Sequence, residues 1–342
     1  MDSVLKQLSS SISPSGFEGD VLCLFKEMVS PFVDTIRTDE MGNLIAQKNC
    51  NKQNAQTILL VAHADEVGFV IKRIDERGFV YVTNIGGIHI DNLSGKIVVF
   101  SNENGYTYGT FGEKPIHMTI HDDKANKDRM HISDLWVDIG CNSYSEAIKR
   151  VSIGDYATFA PFFQLIGNDF VMAKALDNRV SMYVIYEVLK QIEIAQNNVV
   201  VAITVQEEIG RRGAMAIANA MNIKNCIVLD VTHATDYPTV NVNRYGDIKL
   251  GEGVVVPFGA NINNEIQKRL INISNAHNIS YQREVIPLDS RTDAAVLQNT
   301  GYNRYIGIIS VPIRYMHSST ELANKTDVNA AIKLVRNYIE TA

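Results

Sequence analysis

Acidic and histidine side chains follow predicted strands at several places along the chain, and these residue types bind divalent metals and move protons. In chain order they are His63 and Asp65 in VAHADE, Asp177 in AKALDNR, Glu207 and Glu208 in TVQEEIG, Asp230 in IVLDVTHATD, and His317 in VPIRYMHSSTE. In an open α/β sheet, ligands bind outside the carboxyl ends of the strands, where we expect these side chains to meet. The pattern therefore predicts a metal site.

Two pairs of these residues have informative spacing. His63 and Asp65 are two positions apart, so on extended backbone both side chains point the same way and the carboxylate can fix the tautomer of the ring. The alternative is a loop histidine satisfied by its neighbour. Glu207 and Glu208 are adjacent carboxylates, which repel unless a cation or a proton separates their roles. They could be two solvated loop acids, but the apolar run VVVAITV before them favours a buried strand end, with one acid as ligand and the other as base.

The two aspartates have competing interpretations. Asp177 precedes a predicted helix, so it is a helix cap, a metal ligand or both, since the two roles are compatible. Asp230 ends an apolar strand, where a bare carboxylate would be costly without a cation. Five ligands serve two metals only if one carboxylate bridges them, and a bridge implies two ions roughly 3.5–4 Å apart, an arrangement suited to hydrolysis. Two histidines with carboxylates suit Zn²⁺, Co²⁺ or Mn²⁺.

The elements that must position these residues alternate between strands and helices. Residues 4–35 read as a helix interrupted at 13–16, residues 57–62 as a buried strand, and the chain after 165 returns to helices near 178–192 and 213–221 between strands at 198–205 and 226–231. Residues 67–164 carry short strand-like runs separated by turns. We therefore predict an α/β fold whose mostly parallel sheet is flanked by helices, with a catalytic domain of residues 1–66 and 165–342 and an inserted small all-β domain of residues 67–164.

Composition narrows the class of protein. The 342 residues are 46% hydrophobic and 20% charged, which excludes a disordered or collagen-like chain. A formal charge of −6 without a basic run argues against nucleic-acid partners. No apolar segment reaches the roughly 18 residues of a membrane span, the amino terminus lacks a secretory pattern, and the four cysteines form no Cys-x-x-Cys pair. These features predict a cytoplasmic protein.

Several motifs together carry a family resemblance. The segments VAHADEVG, AKALDNRV, VQEEIGRRGA, VLDVTHATD and VPIRYMHSSTE occur in this order, with GEKPIHM, VDIGCNS and IGDYATF inside the predicted insertion. The chain resembles metallo-aminopeptidase family 42, which includes glutamyl and leucyl aminopeptidases and tetrahedral peptidases, and some of whose relatives carry endoglucanase labels. The resemblance covers nearly the whole chain.

The resemblance implies removal of N-terminal residues from short peptides, two divalent metals (Zn, Co or Mn) per subunit, and a metal-activated bridging water. It implies that the β-domain forms dimers that assemble into a dodecamer. The implied ligands are His63 and Asp230 for one metal, Glu208 and His317 for the other, and Asp177 as the bridge. Glu207 would be the general base, and Asp65 would hold His63.

The chain departs from the family pattern at Asp289-Ser290-Arg291-Thr292-Asp293, in the loop expected beside the first side chain of the substrate. Arg291 could bind a Glu or Asp side chain of a substrate. Alternatively it pairs with Asp289 or Asp293 and leaves a pocket for Leu or Met. Two rival functions are a glycoside hydrolase, for which Tyr315 is the one aromatic residue in the motifs, and a non-catalytic assembly module of the same fold, for which an eroded ligand would be expected.

Overall fold

A computed structural model gives the fold of this chain. It describes residues 2–50, 52–53, 55–114, 117, 131–192, 196–260 and 262–341. The motif GEKPIHM lies partly outside these described residues. Within the described part of the chain, no helix is both long and apolar enough to cross a membrane.

Helices and strands alternate over most of the chain. The described helices are α1 (Asp2–Ser10), α2 (Gly19–Val29), α3 (Tyr144–Ala147), α4 (Leu176–Gln191), α5 (Arg212–Ala220), α6 (Val242–Tyr245), α7 (Asn264–Ala276), α8 (Asp293–Asn299) and α9 (Lys325–Thr341). The described strands are β1 (Thr35–Thr38), β2 (Leu44–Lys48), β3 (Thr57–His63), β4 (Gly68–Ile74), β5 (Val80–Ile85), β6 (Ile97–Asn102), β7 (Gly105–Gly112), β8 (Trp136–Asp138), β9 (Tyr156–Phe159), β10 (Phe163–Ile166), β11 (Phe170–Ala173), β12 (Asn198–Thr204), β13 (Asn225–His233), β14 (Val254–Gly259), β15 (Tyr281–Ile286), β16 (Tyr305–Arg314) and β17 (Glu321–Asn324).

The large sheet is parallel at its centre and antiparallel at its flanks. Its main order is β1-β2-β12-β3-β13-β16-β17-β11-β10, with β14 joined to β16 and β15 joined to β14. Strands β12, β3, β13 and β16 run parallel, whereas β1, β2, β17, β11 and β10 join through antiparallel pairs. The α/β fold is therefore confirmed, and the sheet is mixed rather than mostly parallel, because hairpin-like returns add strands to both edges.

The central strands are apolar because helices cover both of their faces. Ile58 and Leu60 of β3 belong to the core under α4 and α9, while Leu59 and Val61 point into the core under α5 and α8. Alternate residues of a strand face opposite sides, so a strand buried on both sides reads as a continuous apolar run. This burial fixes the position of the strand end at which the polar residues begin.

The six strands β4, β5, β8, β7, β6 and β9 close into a barrel with its own core. Phe69 at its centre lies 5.0 Å from the ring of Phe111 and 5.5 Å from that of Phe159. A side chain at Gly68, where the chain enters the barrel, would lie 2.6 Å from the Ala157 carbonyl and 2.7 Å from Pro14. The assignment of residues 67–164 to an inserted domain stays a prediction.

The first predicted helix is two helices, and its predicted end is wrong. The loop expected at 13–16 separates α1 from α2, and α2 ends at Val29. Pro31 lies in the short 3₁₀ turn that follows, since proline cannot donate the next helical hydrogen bond. Strand β1 then begins at Thr35.

A buried ionic cluster joins α4 to the chain beyond β3. Glu66 accepts hydrogen bonds from Lys174 Nζ at 2.6 Å and lies 3.5 Å from Arg179 Nη2. All three side chains are buried, and burial lowers the pKa of Lys174 and of Arg179. Glu66 is therefore the counter-charge of two buried cations, Lys174 and Arg179.

We expect Glu66→Gln to cost about 3–5 kcal/mol of the free energy of unfolding, because it leaves buried cations without a counter-charge. Urea denaturation measures the change. The matched control is Glu265→Gln, which removes the exposed ion pair between Glu265 and Lys268, whose charged atoms are 3.0 Å apart. This variant should change the free energy of unfolding by less than about 1 kcal/mol. Equal shifts for the two variants would contradict this prediction.

Candidate metal centre

The site begins at the end of β3, where His63 and Asp65 follow the buried strand. His63 Nε2 lies 3.1 Å from Asp177 Oδ1 and 3.7 Å from Asp230 Oδ1. On the other side of the ring, Nδ1 lies 3.2 Å from the Asp65 carbonyl oxygen and 3.4 Å from its carboxylate. Both ring nitrogens of His63 therefore face oxygen atoms, and Nε2 faces the cluster of acids.

The second histidine lies across the same aspartate. His317 Nε2 is 3.2 Å from Asp177 Oδ2 and 3.0 Å from Glu208 Oε1. Its Nδ1 lies 2.7 Å from the Gly87 carbonyl oxygen, which belongs to the segment after β5 of the barrel. This carbonyl holds the His317 ring from behind, as Asp65 holds the His63 ring.

Sheet register explains why residues far apart in sequence meet here. Thr204 pairs with His63, so β12 and β3 end side by side and the segment with Glu207 and Glu208 emerges next to Asp65. On the other side of β3, Val228 of β13 pairs with Val61 of β3. Asp230 lies two residues after Val228, and His63 lies two residues after Val61, so both are at the same level of the two strands. The parallel strands at the centre of the sheet therefore bring these acids together at the carboxyl ends of the strands.

The structure brings the five predicted ligands together. Ligand atoms of His63, Asp177 and Glu208 lie within 4.8 Å of one another, and Asp230 and His317 join this group through the distances given above. The two carboxylate oxygens of Asp177 face His63 and His317, which favours the ligand interpretation of this residue over the cap. Asp65 is also present, and its two carboxylate oxygens accept the backbone N–H groups of Glu207 and Glu208, each at 3.0 Å.

Burial and hydrogen bonding shift the pKa values of these groups in opposite directions. Burial alone would raise the pKa of Asp177, but the hydrogen bonds with His317 and His63 hold it below its usual range. Burial would lower the pKa of His317, yet the bonds with Asp177 and Glu208 raise it to about 11. The pKa of His63 is likewise raised well above its usual value by Asp177 and Asp230. Protonated histidines therefore compensate the buried carboxylates.

The remaining acids are disfavoured as anions. Burial raises the pKa of Glu207 to about 10 and also raises the pKa of Glu208 and of Asp230. Neutral imidazole and ionised carboxylates are the forms that bind metals, so bound cations would replace the protons that balance this cluster. The donor set, two histidines and three carboxylates without a lysine or arginine paired to them among the described residues, fits divalent metal ions.

Two acids of the site were missed by sequence reasoning. Glu321 accepts the backbone N–H groups of His317 at 2.7 Å and Asp177 at 2.9 Å, so it fixes both segments. Asp293 accepts the Thr204 hydroxyl and has one buried oxygen without a hydrogen bond in the described structure. Glu321 lies in the quoted motif HSSTE, and its acid type next to His317 was the available signal.

A cavity of about 480 Å³ opens beside the cluster. Arg291 and Glu284 line it together with the site residues. Asp289 pairs with Arg211 at 3.3 Å, while the described residues offer the exposed Arg291 side chain no ion-pair partner, so the expected pairing of Arg291 with Asp289 or Asp293 is not seen. Glu284 accepts the Thr232 hydroxyl at 2.9 Å, and burial raises its pKa.

A second cavity of about 850 Å³ adjoins the first and shares His317 with it. Tyr237 and Tyr315 line this second cavity, and their ring centroids are 5.7 Å apart. The two cavities therefore meet at Met316 and His317.

The sequence pattern of the M42 glutamyl aminopeptidase family matches residues 42–334. The chain belongs to this family. It is similar to a putative aminopeptidase of Acetivibrio thermocellus, with 32% identity over 98% of this chain and 97% of that protein. It is also similar to the lysyl aminopeptidase of Pyrococcus furiosus, with 31% identity over 98% and 96% of the two chains. The M42 chain is a peptidase of the hydrolase class.

Solved structures support the same family. An aminopeptidase from Desulfurococcus kamchatkensis has a TM-score of 0.92, 30% identity, and coverage of 99% of this chain and 94% of that one. The TET1 peptidase of Pyrococcus horikoshii, which assembles into a tetrahedron or a large octahedral shell, has a TM-score of 0.85, 28% identity, and coverage of 99% and 98%. A Thermotoga maritima protein described as an endoglucanase has a TM-score of 0.80, 29% identity, and coverage of 98% and 96%.

Metal-free stability should depend on Asp293. Burial raises the pKa of this carboxyl to about 7 from an ordinary value of 3.8. The folded state therefore keeps a proton that the unfolded state loses, and stability falls as pH rises from about 4 to about 7. In chelator-treated protein, we expect Asp293→Asn to match wild type near pH 4.5 and to exceed it at pH 8 in thermal unfolding.

The difference in the free energy of unfolding between Asp293→Asn and wild type should increase by about 1 kcal/mol per pH unit between about pH 4 and about pH 7. Asp138→Asn, at an exposed position of β8, is the control and should give a curve parallel to wild type. A parallel curve for Asp293→Asn as well would show that Asp293 ionises normally.

Proposed function

We propose that this M42 peptidase is a two-metal aminopeptidase that removes N-terminal residues from short peptides. The observation that carries the proposal is the position of Asp177. One of its carboxylate oxygens faces His63 at 3.1 Å and the other faces His317 at 3.2 Å. A carboxylate whose two oxygens face two different histidines is suited to bridge two ions.

In this proposal the remaining ligands divide between the two sides of Asp177. His63 and Asp230 would hold one divalent ion, and Glu208 and His317 the other. Zn²⁺, Co²⁺ and Mn²⁺ all suit this donor set. Bound divalent ions would polarise the peptide carbonyl and lower the pKa of water.

Glu207 is the proposed general base. It lines the cavity beside the ligands, and the described structure gives its carboxylate no ion-pair partner. Burial raises its pKa in the metal-free protein, and nearby cations favour the ionised form that can accept a proton. Its carboxylate oxygen would take a proton from water and return it to the leaving amine. Asp65 would hold the His63 ring with Nε2 facing the metal.

Arg291 is the proposed partner of the first side chain of the substrate. Its guanidinium lacks an ion-pair partner in the described part of the chain and lies at the wall of the 480 Å³ cavity. A substrate carboxylate would complete a charge-assisted pair. A specific observation favours a second candidate, a substrate whose first side chain is a cation. Glu284 lines the same cavity, accepts the Thr232 hydroxyl, and has no cation beside it among the described residues.

We expect Arg291→Ala to lower kcat/KM for glutamyl anilide about tenfold or more and to leave leucyl anilide unchanged, because a hydrogen bond to a charged group is lost. Glu284→Gln, a charge change at another residue that lines the same cavity, should leave glutamyl cleavage intact. A lysyl preference that Glu284→Gln abolishes would instead assign the pocket to Glu284.

A glycosidic substrate is the rival proposal, since an endoglucanase description occurs among the similar structures. The pair Tyr237 and Tyr315 supports it, because sugars stack on exposed aromatic rings. The two histidines of the cluster argue against it, since two carboxylates suffice for glycoside cleavage. Cellulose and cello-oligosaccharides therefore belong in the substrate panel.

We also propose that the barrel forms dimers that assemble into a dodecamer in the cytoplasm. Tyr106 and Tyr108 on one face of β7 are each 62% exposed, which suits a subunit contact. The described assembly of the TET1 peptidase, a similar structure, supports a large homo-oligomer. Light scattering of the purified chain measures its size directly.

The function is tested with chelated protein to which each metal is restored in turn. Aminoacyl anilides should be cleaved, while the same anilides with an acetylated amino group should resist, because an aminopeptidase requires a free amino terminus. Cleavage of both sets, or of cellulose alone, would overturn the proposal.

Two single substitutions separate base from ligand. Glu207→Gln should keep both metals and lower kcat by about 10²-fold or more, because an amide oxygen does not accept the proton. Asp177→Asn makes the same chemical change at the bridge and should lose metal as well as rate. Elemental analysis and anilide turnover distinguish the two. Wild-type rates in Glu207→Gln, or full metal in Asp177→Asn, would remove the assigned role.

A further inference from the structure

The segment that carries Glu207 and Glu208 is fixed by side chains from other parts of the chain. Four consecutive backbone N–H groups, from Val205 to Glu208, each donate to a side-chain oxygen. The acceptors are Asn43 for Val205 at 3.0 Å, Glu18 for Gln206 at 2.9 Å, and Asp65 for Glu207 and Glu208 at 3.0 Å each. Gln206 has a φ of 58°, a backbone conformation that needs external support in a residue other than glycine.

Two of these contacts depend on the loop between α1 and α2. Ser15 donates its hydroxyl to Asp65 Oδ2 at 2.5 Å, which is the oxygen that also accepts the Glu208 N–H. Glu18 Oε1 accepts the N–H groups of Gly16 at 2.8 Å and Gln206. Ser15 and Glu18 are 3% and 5% exposed, so these hydrogen bonds do not compete with bulk water.

The loop is itself docked firmly beneath the site. Ser15 N donates to the Glu66 carbonyl, and Glu66 N donates to the Ser13 carbonyl, each at 3.2 Å. Gly16 has a φ of 89°, which glycine adopts without strain. The turn thus presents Ser15 and Glu18 from a backbone that is paired to the segment of Asp65.

We propose that Ser15 and Glu18 are positioning residues for the acid pair. They fix the backbone of residues 206–208, and through it the place of the Glu207 carboxylate. Ser15 acts through Asp65, which is bonded to this backbone and to His63, and Glu18 acts directly on Gln206. The inference rests on the proposed function for its effect on turnover, and on the hydrogen bonds alone for its effect on the backbone.

Glu18 acts as a hydrogen-bond acceptor in this arrangement. No lysine or arginine pairs with it among the described residues, and burial raises its pKa. An amide at this position retains the accepting oxygen and removes the charge. Glu18→Gln should therefore preserve the contact that Glu18→Ala removes, and this pair of variants separates positioning from electrostatics.

The experiment uses Ser15→Ala, Glu18→Ala and Glu18→Gln in the full chain. The control is Ser9→Ala, another buried serine in the same segment, whose hydroxyl donates to the Lys6 carbonyl at 3.3 Å within α1. Kinetics are measured with metal restored, metal content by elemental analysis, and hydrogen exchange by mass spectrometry on peptides spanning 204–209 in metal-free protein.

We expect kcat to fall about 10-fold to 100-fold in Glu18→Ala and about 10-fold in Ser15→Ala, since displacement of a catalytic group by about 1 Å can cost that much. KM and metal content should stay within about twofold of wild type. Exchange of the 204–209 peptides should quicken at least about fivefold in both variants. Glu18→Gln and Ser9→Ala should match wild type in every measurement.

Wild-type exchange and turnover in Glu18→Ala and Ser15→Ala would overturn the inference. So would equal loss of kcat in Glu18→Gln and Glu18→Ala without faster exchange, because the effect would then be one of charge. If Glu18→Ala does not fold, Ser15→Ala against Ser9→Ala decides the inference. If wild type cleaves no aminoacyl anilide, the proposed function fails, and the exchange data on the metal-free variants decide the inference by themselves.

Discussion

The site depends on one electrostatic constraint, which is that several carboxylates share a buried space. Asp177, Asp230 and Glu208 meet there with two histidines, and burial makes each negative charge costly unless a cation lies beside it. In the metal-free protein the carboxylates raise the pKa of His63 and of His317, which favours the protonated form of each ring. Divalent cations beside the same carboxylates would balance this charge in place of the protons.

The rest of the fold can be understood as the support that this constraint requires. Helices on both faces of the central strands exclude water up to the strand ends, and the parallel register brings those ends to one edge. Because buried carboxylates are costly, the apolar strands and the buried cluster around Glu66 must hold these segments in place. Asp65 and Glu321 then fix neighbouring segments. Asp65 accepts the backbone N–H groups of Glu207 and Glu208, and Glu321 accepts those of Asp177 and His317.

The sequence was sufficient to predict the strand ends and the acids near them, because an apolar run followed within a few residues by a carboxylate or histidine is a local pattern. His63, Asp177, Glu208, Asp230 and His317 were found in this way, and the structure brings them together. It was insufficient for the mixed edges of the sheet, and for contacts such as Glu18 with Gln206, whose partners are 188 residues apart. A single sequence carries no pattern for pairing across such a distance, so the role of the loop before α2 emerged only from geometry.

The carbonyl of Gly87 connects the segment after β5 of the barrel to the acid and histidine cluster at the sheet. It holds His317 Nδ1, while a side chain added at the neighbouring Gly86 would lie 2.9 Å from Val67 and 3.3 Å from Glu208 Cβ. The orientation of the His317 ring is therefore linked to the position of the segment that follows β5. A chimera that replaced the barrel with that of a relative would have to keep this two-glycine segment in the same place, because its carbonyl contacts the His317 ring.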